Sequence, residues 1–201
     1  MSIQNGIVFI GVATVLLGIG IARLPVARAD CPSIFGDEVV YGAGHPVSVA
    51  IGDLDGDGDA DLVAANYGFA FISILLNNGD GIFAAPLLSG VGYDPADVAI
   101  GDLDGDGDPD LAVANSGADN VSILLNNGDG TFAADVTYDV GEYPLGVDVG
   151  DLDGDGDLDL AVTNQTDGNV SVLLNHGDGT FAADVTYDAG NTPVTVTIGD
   201  L

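Results

Sequence analysis

Apolar and polar residues alternate in blocks too short for helices along most of this chain. Residues 96–100 form a brief apolar run, residues 102–110 an acidic loop, and residues 111–115 (LAVAN) a near-continuous apolar run. A polar turn follows over 116–120, an apolar strand over 121–126 (VSILLN), a tight turn over 127–130 (NGDG) and an alternating segment over 131–138 (TFAADVTY). Alternation of period two, short apolar runs and Gly/Asn/Asp turns predict four short β-strands in this stretch. LAVAN is apolar on both faces, as a strand packed between neighbouring sheets must be, whereas TFAADVTY has the pattern of a half-exposed strand.

The same block recurs. It reads GDLDGDGDADL from Gly52, GDLDGDGDPDL from Gly101 and GDLDGDGDLDL from Gly150, a spacing of 49 residues, and Gly199, Asp200 and Leu201 open a fourth copy. A fixed period of this length marks units that bury their apolar faces only against one another. Pro46, Pro95, Pro144 and Pro193 share the period and mark the unit boundaries, placing units at 46–94, 95–143 and 144–192 with a partial unit at 193–201. Four-stranded sheets stacked about an axis satisfy the pattern, so the expected fold is all-β, a β-propeller of four-stranded blades. Residues 35–41 (FGDEVVY) resemble residues 181–187 (FAADVTY), which predicts a lone strand at about 34–42. Three units and a strand fall short of the four to eight blades that usually close a ring, so the expectation is an incomplete propeller belonging to a longer protein.

Charge changes the picture next. The chain holds 32 acidic and two basic side chains, a formal net charge of -30, and the bases are Arg23 and Arg28. All acids follow them. Such a surface repels nucleic acid and anionic membranes, which are held through Lys and Arg, and it leaves bound cations as the natural countercharge. The apolar stretch 7–22 and the small-x-small triplet Ala27, Arg28, Ala29 fit a secretory signal over residues 1–29, cleaved after Ala29 or retained as an anchor. The expected location is secreted, cell-surface or periplasmic. Cys31 is the only cysteine, so no disulfide forms within the chain.

The acidic loop is the candidate site. Counting from Asp53, carboxylates stand at positions 1, 3, 5, 7 and 9 (Asp53, Asp55, Asp57, Asp59, Asp61), with Gly58 at position 6. The second loop supplies Asp102, Asp104, Asp106, Asp108 and Asp110, and the third Asp151, Asp153, Asp155, Asp157 and Asp159. Carboxylates on alternate residues, a turn-permitting glycine and the main-chain carbonyl of position 7 make an oxygen cage for Ca2+, and no soft donor stands nearby. Asp59, Asp108 and Asp157 are expected to give main-chain oxygen only, and the sites number about three, one per complete loop. An EF-hand is excluded, because position 12 is Ala64, Val113 or Val162 where that motif needs a bidentate Glu. Asp and Gly favour turns on their own account, but turn preference does not explain one carboxylate register kept three times.

With GDLDGDGDPDLAVAN and NNGDGTFAADVTY in the second unit and close variants of both in the first and third, the chain resembles the FG-GAP or VCBS repeats of bacterial exported proteins, related to the calcium-binding blades of integrin alpha subunits. The resemblance covers about residues 35–201. It implies a β-propeller with calcium between the first and second strands of each blade, and no single activity. Three functions follow: a calcium-stabilised binding or adhesion module whose loops meet a protein or glycan ligand, a non-catalytic accessory domain of a secreted polysaccharide-degrading or other hydrolytic enzyme, or a structural spacer. Catalysis within this segment has little to stand on. His176 takes the turn position of Asn78 and Asn127, His45 takes the variable position of Asp94, Tyr143 and Thr192, and no nucleophile elbow is present. Tyr67, Phe69 and Phe71 occur only in the first unit and read as core-edge packing or an exposed contact.

Overall fold

Pro46, Pro95 and Pro144 each start a strand at a place where a missing amide donor does no harm. The computed structural model of the protein describes Tyr41, residues 44–79 and residues 81–199. Twelve strands are found there: β1 (Pro46–Gly52), β2 (Asp61–Asn66), β3 (Phe71–Leu75), β4 (Leu87–Gly90), β5 (Pro95–Gly101), β6 (Asp110–Asn115), β7 (Asn120–Leu124), β8 (Val136–Asp139), β9 (Pro144–Gly150), β10 (Asp159–Asn164), β11 (Asn169–Leu173) and β12 (Val185–Asp188). They form three separate antiparallel meanders, ordered β1-β2-β3-β4, β5-β6-β7-β8 and β9-β10-β11-β12. The fold is all-β, three blades of an incomplete propeller, and none of the three sheets closes on itself. The leader at 1–29, Cys31 and the lone strand at about 34–42, apart from Tyr41, lie outside the described residues.

The cores lie between blades. Val63, Ala65, Ile72 and Ile74 of the first sheet pack with Val98, Leu111, Val113 and Leu124 of the second. Ala112, Ala114, Val121 and Ile123 of the second pack with Val147, Leu160, Val162 and Leu173 of the third. The LAVAN-type strands β6 and β10 are buried at every position; for β6 the reason is that its sheet has a neighbour on both faces. First strands run side by side along the stack, and Asp97 on β5 ties three of them together by accepting from Ser48 Oγ at 2.6 Å and Val147 N at 3.1 Å. Residues 194–198 run along β9 in the place of a further first strand, with Ile198 N donating to Asp148 Oδ2 at 2.7 Å.

Two expectations need correction. The third strand of the second unit ends at Leu124, not 126, and the fourth is Val136–Asp139 rather than 131–138. Asn126 leaves the ladder because its amide donates to the Asp110 carboxylate. Phe132 makes only an isolated bridge to Asn126, and Asp135, in a segment read as ladder, turns its carboxylate to Ser122 Oγ at 2.7 Å. Side-chain acceptors thus compete with the ladder where sequence alternation alone reads as strand.

Tyr41 supplies one more regularity. Its hydroxyl accepts from Phe83 N at 3.0 Å and its ring stands edge-on to Phe83, as Tyr138 does with Phe181. Tyr41 therefore fills, beside the first blade, the place that β8 of the second blade fills beside the third.

Candidate metal centres

Each acidic loop joins the first strand of a blade to the second, and its shape is held by its own carboxylates. Asp53 spans the loop, Oδ1 accepting from Gly56 N at 2.9 Å and Oδ2 from Gly58 N at 3.0 Å. Asp102 does the same with Gly105 and Gly107, and Asp151 with Gly154 and Gly156. The two loop glycines take positive φ, +74° and +92° in the first loop, a region closed to most side chains. Positions 3 and 5 each accept the amide two residues on, as in Asp57 N to Asp55 Oδ1 at 3.2 Å and Asp59 N to Asp57 Oδ1 at 2.8 Å. These are Asx turns, and they recur in the other two loops.

Position 9 is the buried end of the site. Asp61, Asp110 and Asp159 are almost wholly inaccessible, and both oxygens of each accept backbone amides. Asp110 takes Leu103 N and Asn126 N, each at 2.8 Å; Asp61 takes Leu54 N and Asn77 N, and Asp159 takes Leu152 N and Asn175 N. Burying a carboxylate without an ionic partner is costly unless such donors surround it.

The structure brings together Asp53, Asp55 and Asp57 in the first loop, Asp102, Asp104 and Asp110 in the second, and Asp151, Asp153 and Asp159 in the third, each trio offering oxygens within 4.8 Å of one another. Asp106 and Asp155 at position 5, and Asp61 at position 9 of the first loop, stand outside these trios. So do Asp59, Asp108 and Asp157, whose carboxylates lie against the turn glycines Gly79, Gly128 and Gly177; a Cβ on those glycines would fall 2.5–2.6 Å from the nearer oxygen.

Crowding is written into the acidities. Asp55, Asp104 and Asp153, all at position 3, are held above the ordinary carboxylate range, by desolvation first and then by neighbouring loop carboxylates. Burial pushes Asp110 up to about 6, against the pull of its two amide donors. No Lys or Arg follows Arg28, so no basic side chain relieves this repulsion among the described residues. A hard divalent cation matches the donor set, which is all oxygen and mostly anionic.

Sequence reasoning missed Asn77, Asn126 and Asn175. Each supports its own loop, donating its amide to position 9 and its Nδ2 to the carbonyl of position 8. Their signal was there, since they open the turn at the same 49-residue spacing as the loops. The opposite end of the blades carries other features. Asp94, Tyr143 and Thr192, each preceding a boundary proline, sit at φ of +55°, +58° and +54°. Tyr67 and Tyr143 join hydroxyl to hydroxyl at 3.2 Å, which pushes Tyr67 up to about 12. Phe69 and Tyr93 are exposed there. Of the two histidines, His176 closes the third turn by its amide to Thr180 O at 2.9 Å.

A family model described as an FG-GAP-like repeat matches residues 53–113, 102–162 and 151–201. A comparison with curated proteins finds no match. Among solved structures, the chain is similar to BBS1N in its complex with ARL6DN, at 19% identity and a TM-score of 0.54, over 77% of this chain and 48% of that one. It is also similar to an Agrocybe aegerita lectin that recognises non-reducing terminal N-acetylglucosamine, at 27% identity and TM-score 0.47, over 71% and 38% of the two chains. The Photorhabdus luminescens Tc holotoxin pore matches at 28% identity and TM-score 0.44, over 70% of this chain and 7% of that one. The chain thus spans under half the length of these structures.

Proposed function

Since the chain belongs to the FG-GAP-like repeat family, we propose that it is a non-catalytic binding module of an exported protein, its blades stabilised by one calcium ion in each acidic loop. The observation that carries the reading is that each of the three loops, on the same backbone scaffold, gathers a carboxylate trio that always includes positions 1 and 3, with no Lys or Arg among the described residues to neutralise it. Asp53, Asp55 and Asp57, with their counterparts in the other loops, would hold the ion together with the position 7 carbonyl, and position 9 would close the shell. Bound calcium supplies the positive charge that the loop lacks, and the chain's own amides fix the carboxylates around it.

The ligand, a protein or a glycan, is assigned to the end of the blades remote from the acidic loops. Support for that placement comes from the exposed Phe69 and Tyr93 and from the left-handed backbone at Asp94 and Tyr143, since strained, non-glycine positions cluster at functional sites. Calorimetric titration of the 201-residue chain with calcium tests the metal reading: about three ions should bind, and each should add about 2.7 kcal/mol at roughly 100 times its Kd. A melting temperature equal in calcium and in EDTA would refute it. Glycan and protein arrays test the ligand reading, and loss of any retained ligand on Tyr93→Ala locates the face.

A further inference from the structure

The side chains of Asn126 and Asn175 reach beyond their own blade. Asn126 Nδ2 donates to Leu54 O at 2.8 Å, and Asn175 Nδ2 to Leu103 O at 2.7 Å. Leu54 stands between Asp53 and Asp55, and Leu103 between Asp102 and Asp104, so each asparagine grips the preceding acidic loop between its first two carboxylates. Both asparagines are buried. The turns that carry them sit directly on those loops: Gly179 N also donates to Leu103 O at 3.0 Å, and a Cβ on Gly179 would fall 3.3 Å from Asp104 Cβ.

These bonds join into one chain. Leu54 O accepts from Asn126 Nδ2, Asn126 N donates to Asp110, Asp110 accepts Leu103 N, Leu103 O accepts from Asn175 Nδ2, and Asn175 N donates to Asp159. Asn77 makes the equivalent bonds to Asp61 and Ala60 O in its own blade and has no preceding loop to grip among the described residues.

We propose that Asn126 and Asn175 are positioning residues that couple the three metal loops, so that filling one loop raises the calcium affinity of its neighbour. This rests on the calcium reading above. An ion in the first loop fixes the peptide of Leu54; that peptide seats Asn126, whose amide in turn sets Asp110 in the second loop. The bistable element is the turn 126–130, docked on the preceding loop or released from it, and both loops bias it. Among the described residues the third loop has the asparagine of its own blade and no following turn upon it, and Asp151 and Asp153 are exposed there where Asp102 and Asp104 are half-buried.

The test is a calcium titration of the full 201-residue chain and of N126A, N175A and N77A. The wild type should bind with a Hill coefficient above 1 and with neighbouring affinities differing about fivefold or more according to occupancy. N77A loses only own-blade bonds and should keep that steepness, whereas N126A and N175A should bring it towards 1. Independent sites in the wild type, or equal loss of steepness in N77A and N126A, overturns the coupling while leaving calcium binding intact; no binding at all overturns the underlying reading instead. Hydrogen exchange on the wild type needs no variant to fold. Residues 53–61 and 102–110 should gain protection over the same range of calcium concentration, and protection at well-separated concentrations overturns the proposal.

Discussion

Leucine at position 2 of the acidic loop offers a matched series within one molecule. Leu54 and Leu103 are each 1% exposed, covered by the blade that follows, whereas Leu152 is 41% exposed. The sequence around all three is the same, GDLDGDGD, so local propensity cancels and only packing differs. Leu103→Ala removes atoms from the core between the second and third blades, which costs about 2–5 kcal/mol in transfer and cavity terms. For Leu152→Ala, with much of the side chain already in water, about 1 kcal/mol is expected. In a domain of this size 1 kcal/mol corresponds to about 2–4 °C, so the melting temperature should fall by roughly 4–20 °C for Leu103→Ala and about 2–4 °C for Leu152→Ala. Both substitutions leave the backbone bonds of the loop in place. The assay is scanning calorimetry of the 201-residue chain in saturating calcium, with urea midpoints as a second measure. Equal losses from the two variants would show that position 2 acts through the loop itself and not through the neighbouring blade.

Three other outcomes follow from the same geometry. Gly81 and Gly179 hold equivalent turn positions at φ of +79° and +74°, but a Cβ at Gly179 meets Leu125 Cδ2 at 2.9 Å and at Gly81 meets nothing within 4 Å; Gly179→Ala should cost about 1–3 kcal/mol more than Gly81→Ala in chemical denaturation. In EDTA, acidification from pH 7 to 4 should stabilise the fold: Asp110 is raised to about 6 when folded, so the native state binds more protons than the unfolded chain in that window. The gain from that one group is at most about 3 kcal/mol, most of it accrues between about pH 6 and 4, and it is complete only below the unfolded value of 3.8; a metal-free midpoint that falls across this range contradicts it. In calcium the trend should reverse, because protons compete for the same oxygens.

Much of this was legible because the signal repeats. The boundary prolines recur four times and the LAVAN-type runs and the loop register three times, and the three sheets start at Pro46, Pro95 and Pro144. Local pattern failed where a side chain replaces a ladder bond. Asp135 looks like a strand residue, but its carboxylate belongs to Ser122; Asn126 looks like the end of a strand, but it is a buried junction of two loops. Neither role has a local signature, since both depend on what the next blade or next strand brings close. Tyr67 is similar. Its aromatic neighbours set the first unit apart in sequence, yet the partner that defines it, Tyr143, lies 76 residues on, at the boundary between the second and third units.

The fold and its acidic loops answer one electrostatic problem with the same atoms. With no Lys or Arg after Arg28, the buried carboxylates Asp61, Asp110 and Asp159 draw their stabilisation from backbone amides, and those amides come from the acidic loop and the turn that the asparagines open. Repulsion among the remaining acids is left for ions to relieve. Monovalent salt should therefore stabilise the metal-free protein: it screens like charges over the roughly 10 Å Debye length at 0.1 M, and the described residues hold no Lys or Arg ion pair for it to weaken. Raising sodium chloride from about 0.05 to 0.5 M in EDTA should raise the melting temperature, and the gain should shrink once calcium fills the loops. A melting temperature that falls with salt would mean that attractive charge pairs, not repulsion, dominate this surface, and would remove the electrostatic reason for metal at the loops.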